Sequence, residues 1–172
     1  MGELIYVTGG ARSGKSGYAQ RLVEACRGEL LYVATAAAGD AEMASRIARH
    51  QQQRGARWTT LEEPCEVLAR LPEAAVGKNG ILFDCVTLWL TNLMLRGDAD
   101  AAILAEVERF AELARQQSGT LVMVSNELGS GIVPENALAR RFRDLAGSAN
   151  QRLAAASDTA WLVVSGLPVK LK

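Results

Sequence analysis

The chain has 172 residues, 49% hydrophobic and 22% charged, which is enough apolar material for one domain with a full core. Nineteen basic residues balance nineteen acidic ones, so no global field exists to recruit nucleic acid or an anionic lipid surface. Cys26, Cys65 and Cys85 are odd in number, far apart and without a C-x-x-C, which argues against a disulfide framework or a zinc site and for a reducing cytoplasm.

The N-terminus enters an apolar run directly, with no basic n-region or cleavage site. Met1-Gly2 opens a myristoylation pattern, but Tyr6 stands where Ser or Thr is required. Leu4-Ile5-Tyr6-Val7 reads as a buried strand, and Gly9-Gly10-Ala11-Arg12-Ser13-Gly14-Lys15-Ser16 follows it at once. That octet satisfies the phosphate-loop pattern G-x-x-x-x-G-K-[ST]. Tyr18, Leu22 and Val23 then recur at helical spacing. A strand, a glycine turn and a helix start bring backbone N–H groups around one point, where the helix dipole also favours an anion. In this pattern Lys15 reaches the β- and γ-phosphates and the Ser16 hydroxyl ligates Mg²⁺.

Gly28 marks a stop, and Leu30 to Ala34 reads as a second strand. Thr35 through Gly39 is a loop of small residues. Asp40 caps a helix expected to run to about Arg54, with Met43 and Ile47 on its apolar stripe. Trp58 to Leu61 is a short extended piece, Pro64 begins a small helix through Leu71, and Ile81 to Asp84 is a third strand. Val86 to Leu95 is apolar nearly all round, the pattern of a helix that is central or at a subunit interface. This stretch is too short to span a bilayer. Ile103, Val107, Phe110 and Ala114 mark one face of a further helix, and Leu121 to Val124 a fourth strand. Pro134 opens the longest helix, with Leu138, Phe142, Leu145, Ala149, Leu153 and Ala156 on one face. Trp161 to Val164 is the last core strand, and Gly166-Leu167-Pro168 turns the chain into a short terminal one. Strands alternating with helices predict an α/β fold, a largely parallel sheet with helices on both faces. Ligands of such sheets gather at the carboxyl ends of the strands, where the phosphate loop, Thr35, Asp84 and Asn126-Glu127 all fall.

Asp84, after three apolar residues, stands where nucleotide-binding proteins of this type place the acid that holds Mg²⁺ through water. His50 is the only histidine, and Arg46 and Arg54 share its helix face at i−4 and i+4. It reads either as a neutral nucleophile beside a phosphate held by guanidiniums, or as a solvated helix histidine among charges. Glu62 and Glu63 contact a ribose or a base, or are solvated loop acids. Asn126 and Glu127 order an acceptor hydroxyl, or cap a turn. Arg140, Arg141 and Arg143 read as the solvated face of the long helix.

The full set of motifs resembles a known family. The N-terminal phosphate loop is followed by Met43-x-x-Arg46-Ile47-x-x-His50-x-x-x-Arg54, Trp58-x-Thr60-x-Glu62-x-Pro64 and Asp84-Cys85-Val86-Thr87. Asn126-Glu127-x-Gly129-x-Gly131-Ile132-Val133-Pro134-Glu135-Asn136, Phe142-Arg143-Asp144 and Asn150-Gln151 complete it. Together these look like the bifunctional adenosylcobinamide kinase/adenosylcobinamide-phosphate guanylyltransferases of cobalamin biosynthesis.

The resemblance implies a P-loop NTPase with a RecA-like, largely parallel sheet and a short C-terminal strand hairpin, acting as one domain over residues 1–172. It implies phosphorylation of adenosylcobinamide with ATP or GTP. Transfer of GMP from GTP to adenosylcobinamide phosphate follows, giving adenosylcobinamide-GDP and pyrophosphate. His50 matches the histidine that carries GMP covalently in the family; where some members have two adjacent histidines, this chain has Arg49-His50. By the same carry-over Ala34, Thr35, Ala36, Gln51, Gln52, Gln53, Arg54, Glu62 and Asp84 line the guanine nucleotide site, with Mg²⁺ held at Ser16 and Asp84. The family assembles as trimers, which makes the Val86–Leu95 helix a candidate contact surface. Two other readings stand beside it: a monofunctional small-molecule kinase with His50 inert, and a nucleotide-switched regulatory module. The second is weakened by the absence of an N-K-x-D guanine-reading motif, so guanine preference rests on the resemblance alone.

Overall fold

The computed structural model describes residues 2–36 and 55–172. The predicted helix from Asp40 to Arg54, with His50 and Gln51 to Arg54, lies outside the described residues.

Seven strands form one sheet: β1 (Leu4–Gly9), β2 (Leu30–Ala34), β3 (Trp58–Glu62), β4 (Gly80–Asp84), β5 (Thr120–Asn126), β6 (Thr159–Val164) and β7 (Leu167–Lys170). Their spatial order is β3-β2-β4-β5-β1-β6-β7. All neighbours pair in parallel except β6 and β7, which form the antiparallel hairpin expected at the C-terminus. Ser165 and Gly166 turn that hairpin with φ of 52° and 82°. The central strands read as apolar runs because both their faces are covered, and all six residues of β1 are buried.

Side chains alternate across a strand, so each strand feeds two cores. On one face Ile5, Val7, Leu82, Val122 and Val124 pack against Ala19 and Val23 of α1 (Lys15–Glu24). The opposite face is covered by α2 (Val67–Ala74), α3 (Val86–Arg96), α4 (Asp100–Arg115) and α5 (Ala137–Ala156). There Phe83 of β4, Trp89 of α3 and Phe110 of α4 meet with ring centroids 4.7–5.8 Å apart, all three fully buried.

Three expectations need correction. The small helix begins at Val67 rather than Pro64, because Glu63 Oε1 accepts the N–H groups of Cys65 (3.1 Å) and Glu66 (2.8 Å) and holds that stretch as a turn. The long helix begins after Asn136, whose side chain accepts the Ala139 N–H at 3.0 Å, so Pro134 lies before it. Leu138, expected on its apolar face, is consequently half exposed in the first turn. Of the two environments that its apolar pattern fits, α3 shows the central one. Six of its eleven residues are buried inside the chain's own fold, and Leu95 is its one large exposed hydrophobic side chain.

Candidate functional site

The phosphate loop joins β1 to α1, as its letters require. Gly9 lies where the chain leaves the sheet, and a Cβ there would stand 2.5 Å from the Val163 carbonyl oxygen and 2.6 Å from Ser13 Oγ. Gly14 is the N-cap of α1 at φ 95°, the left-handed region that favours glycine. Arg12 also takes a left-handed φ, 56°. Alternating handedness of this kind turns successive N–H groups toward a common concavity that suits an anion. The loop is braced from outside: the Gly166 N–H donates to the Ser13 carbonyl (2.8 Å) and the Glu127 N–H to the Gly9 carbonyl (3.0 Å). Gly10, Ala11, Arg12 and Gly14 face solvent, leaving the concavity open. Lys15 Nζ donates to the Gly10 carbonyl at 3.1 Å, so the ammonium is folded over the start of the loop.

Asp84 ends β4, one strand removed from β1. Alternation places its side chain with Leu82 on the α1 face, and the Tyr32 hydroxyl donates to its Oδ2 at 3.3 Å. Next to it the Cys85 thiol is pushed up to about 11, chiefly by burial and then by the Asp84 charge, with Lys15 opposing the shift. Among the described residues no group of three or more His, Cys, Asp and Glu side chains is gathered to hold a metal ion.

Ala34, Thr35 and Ala36 follow along the same edge. Ala34 is the register partner of both Asp84 and Glu62, so β2, β3 and β4 end level with one another. The fully buried Thr35 hydroxyl donates to the Cys85 carbonyl (2.7 Å) and accepts the Cys85 N–H (3.0 Å). Asn92 of α3 donates to the carbonyls of Thr35 (2.8 Å) and Pro64 (2.9 Å), tying both loop starts to the core beneath. The Thr35 hydroxyl is therefore a strut between the ends of β2 and β4. Glu62 is exposed at the end of the edge strand, with β2, β4 and β5 between it and β1. At about 4.8 Å per strand that is roughly 19 Å from the phosphate loop, so the predicted residues line an edge rather than a point.

Glu127 caps a turn, one of its two expected roles, and Glu63 caps one as well, a role that neither of its alternatives named. Glu127 Oε1 accepts the Gly129 N–H at 2.6 Å, and Arg143 donates to the Gly129 carbonyl across the same loop. Arg141 pairs with Asp100 and Arg140 donates to the Pro134 and Glu135 carbonyls, all at exposed positions. Asn126 stays at the carboxyl edge. What sequence reasoning missed is the role of the buried side chains behind it, Thr87, Ser125 and Asn150. Thr87 and Asn150 belong to the motifs that carry the family resemblance, and beyond that their signal is polarity inside otherwise apolar stripes.

Among the described residues no helix is long and apolar enough to cross a membrane. The family model for "Cobinamide kinase / cobinamide phosphate guanyltransferase" matches residues 5–171. The chain is 44% identical to the bifunctional adenosylcobalamin biosynthesis protein CobU of Escherichia coli, over 98% of this chain and 99% of that protein. It is 44% identical to the bifunctional adenosylcobalamin biosynthesis protein CobP of Pseudomonas aeruginosa, over 96% and 95%. The CobU protein of Salmonella typhimurium is 43% identical over 98% and 99%. A phosphate loop in a parallel sheet, an aspartate on its α1 face and this near-complete match agree, and the chain belongs to the cobinamide kinase / cobinamide phosphate guanyltransferase family.

Proposed function

We propose that this single domain phosphorylates the aminopropanol hydroxyl of adenosylcobinamide and then transfers GMP from GTP to the resulting phosphate, using one phosphate cradle for both steps. The observation that carries this reading is the convergence of Lys15 and Asp84 on the α1 face of the sheet's carboxyl edge, beside the open loop. Gly9 to Gly14 enclose the phosphates and Lys15 balances charge on the β- and γ-groups. Attack by the acceptor hydroxyl on the γ-phosphorus, in line with the departing diphosphate, is the kinase step.

In the second step a nitrogen of His50 attacks the α-phosphorus of GTP. A P–N bond forms, the α–β P–O bond breaks, and pyrophosphate leaves carrying the charge that Lys15 balances. The phosphate of adenosylcobinamide phosphate then displaces the imidazole from that phosphorus, giving adenosylcobinamide-GDP. Ala34, Thr35, Ala36, Glu62 and Gln51 to Arg54 line the remainder of the nucleotide site. Mg²⁺ fits the donor set, since it commonly takes one or two protein oxygens, here Ser16 and Asp84, and completes its shell with phosphates and water. When bound, it neutralises charge developing on the phosphates. The trimeric assembly and cytoplasmic location implied by the resemblance belong to the same proposal.

The test is covalent labelling. Intact mass after GTP and Mg²⁺ should rise by one GMP, and label from α-labelled GTP should survive base and be lost in acid, as a phosphoramidate requires. His50→Ala should carry no label and lose guanylyl transfer by several orders of magnitude, while kinase turnover persists. Label retained in His50→Ala would move the nucleophile elsewhere. Unlabelled wild-type protein with full transfer activity would replace the two-step route by direct attack of the substrate phosphate.

A further inference from the structure

Behind the carboxyl end of β5 three side chains and the backbone of Asn126 close into a ring. Asn150 Nδ2 donates to the Asn126 carbonyl (3.0 Å), and because that oxygen only accepts, the orientation of the Asn150 amide is settled. Its Oδ1 must therefore accept from Ser125 Oγ, 2.6 Å away. With the Ser125 proton committed there, the Thr87 hydroxyl is the donor in its 3.3 Å contact with Ser125 Oγ. Thr87 Oγ1 in turn accepts the Asn126 N–H at 2.8 Å. The hydrogen bonds run one way from the N–H of Asn126, through α3, β5 and α5, back to its own carbonyl. Thr87, Ser125 and Asn150 are all buried, so each bond is made in a low-dielectric setting. Thr8 and Gly9 of β1 complete the clamp: the Thr8 hydroxyl donates to the Ser125 carbonyl (3.2 Å), and the Gly9 carbonyl accepts the Glu127 N–H (3.0 Å).

The residue so held points the other way. Strand alternation sends the Ser125 side chain to the face of α3 and α5, and the Asn126 side chain to the α1 face, with Val122, Val124 and Asp84. Asn126 is the register partner of Gly9, and the Lys15 ammonium lies against the next residue, Gly10. Among the described residues no group hydrogen-bonds the Asn126 side-chain amide, and it is partly open to solvent.

We infer that Asn126 donates its side-chain N–H to the terminal phosphate of the bound nucleoside triphosphate, and that Thr87, Ser125 and Asn150 are positioning residues that fix its backbone for that contact. The terminal phosphate is the partner because Lys15, whose reach is to the β- and γ-groups, marks the Gly9–Gly10 end of the cradle. This inference rests on the nucleotide reading of the loop.

Affinities for GTP and GDP, titrated on the full chain in EDTA so that nothing turns over, test it. Asn126→Ala should weaken GTP about 10-fold or more, the scale of a hydrogen bond to a charged group, and GDP by less than about 2-fold. Thr87→Val should move the same GTP-to-GDP ratio in the same direction by less, and Thr87→Ser should restore it. Asn150→Asp, which keeps the shape but loses the donor to Asn126, tests the ring where Thr87→Val does not fold. Equal losses for both nucleotides in Asn126→Ala, or none, overturn the phosphate contact. An unchanged ratio in the folded ring variants overturns the positioning role. A wild-type chain that binds neither nucleotide removes the phosphate-loop reading itself, whereas normal wild-type binding with an unaltered ratio in the variants removes this inference alone.

Discussion

The two faces of the sheet divide the labour of the molecule. The α2–α5 face carries the aromatic cluster of Phe83, Trp89 and Phe110 and the greater part of the buried apolar residues. Among the described residues the α1 face holds a smaller cluster of aliphatic side chains, and it is this face that presents Lys15, Asp84 and Asn126 at the carboxyl edge. Among the described residues the larger core lies on one side and the residues to which we assign chemistry on the other, with the strands as a shared wall. Side chains that end a strand can therefore be polar on the α1 face without opening the larger core.

The sharpest way to break this division is to damage the larger core. Phe110→Ala, at a site with no exposure, should cost about 3–5 kcal/mol in chemical denaturation, while the folded fraction keeps its affinity for nucleotide. A parallel loss of affinity in the folded fraction would show that the faces are not separable. Lys15→Ala is the converse experiment. Both reactions should fall by about 100- to 1000-fold, as when one preorganised charge-stabilising donor is removed, with the denaturation midpoint little changed. Near wild-type turnover of either reaction in the folded variant would end the shared-cradle argument.

The smallest effect is one of pH, and it tests the wall between the faces. Burial pushes Cys85 from 9.0 to about 11 and Tyr6 from 10.0 to about 12. Both groups are neutral when protonated, so the native state holds its protons to higher pH than the unfolded chain. Their contribution is complete below pH 9 and declines as the unfolded thiol and then the phenol ionise. For Cys85 the loss should reach on the order of 1 kcal/mol by pH 10. Denaturation midpoints measured from pH 8 to pH 10.5 should fall accordingly, and Cys85→Ser should flatten the first part of the decline. A flat profile in the wild type would mean that Cys85 is not sealed from water.

Much of this arrangement was legible in the sequence, and the reason is local. The phosphate loop is a single contiguous octet, and β2 runs over Leu30–Ala34 as its apolar run predicts, since a strand buried on both faces announces itself by composition. The turns were harder. The side-chain caps of Glu63 and Asn136 postponed two helices that proline alone had suggested would begin earlier. The all-round apolar pattern of α3 fitted two environments equally well, because hydropathy does not say whether the neighbour is the same chain or another. Least legible was the ring around Asn126. Its hydrogen-bonded pairs are 24 to 39 residues apart in the chain, and Thr87 alone looks like an interruption in an apolar run. A hydrogen bond between distant residues leaves no periodicity to read.

The order of the strands has a consequence for how the protein comes into being on the ribosome. β1 is made well before its partners in the sheet, β5 and β6, and the amide of Leu4 finds the Asp158 carboxylate 154 residues later. Even the carbonyl of Ser13 inside the phosphate loop waits for the Gly166 amide. Closing separations of this size costs chain entropy before any contact repays it. The phosphate-loop sequence is therefore made well before the segments that brace it, since β5, β6 and Gly166 all follow it at long range, and during synthesis the motif exists ahead of its finished setting.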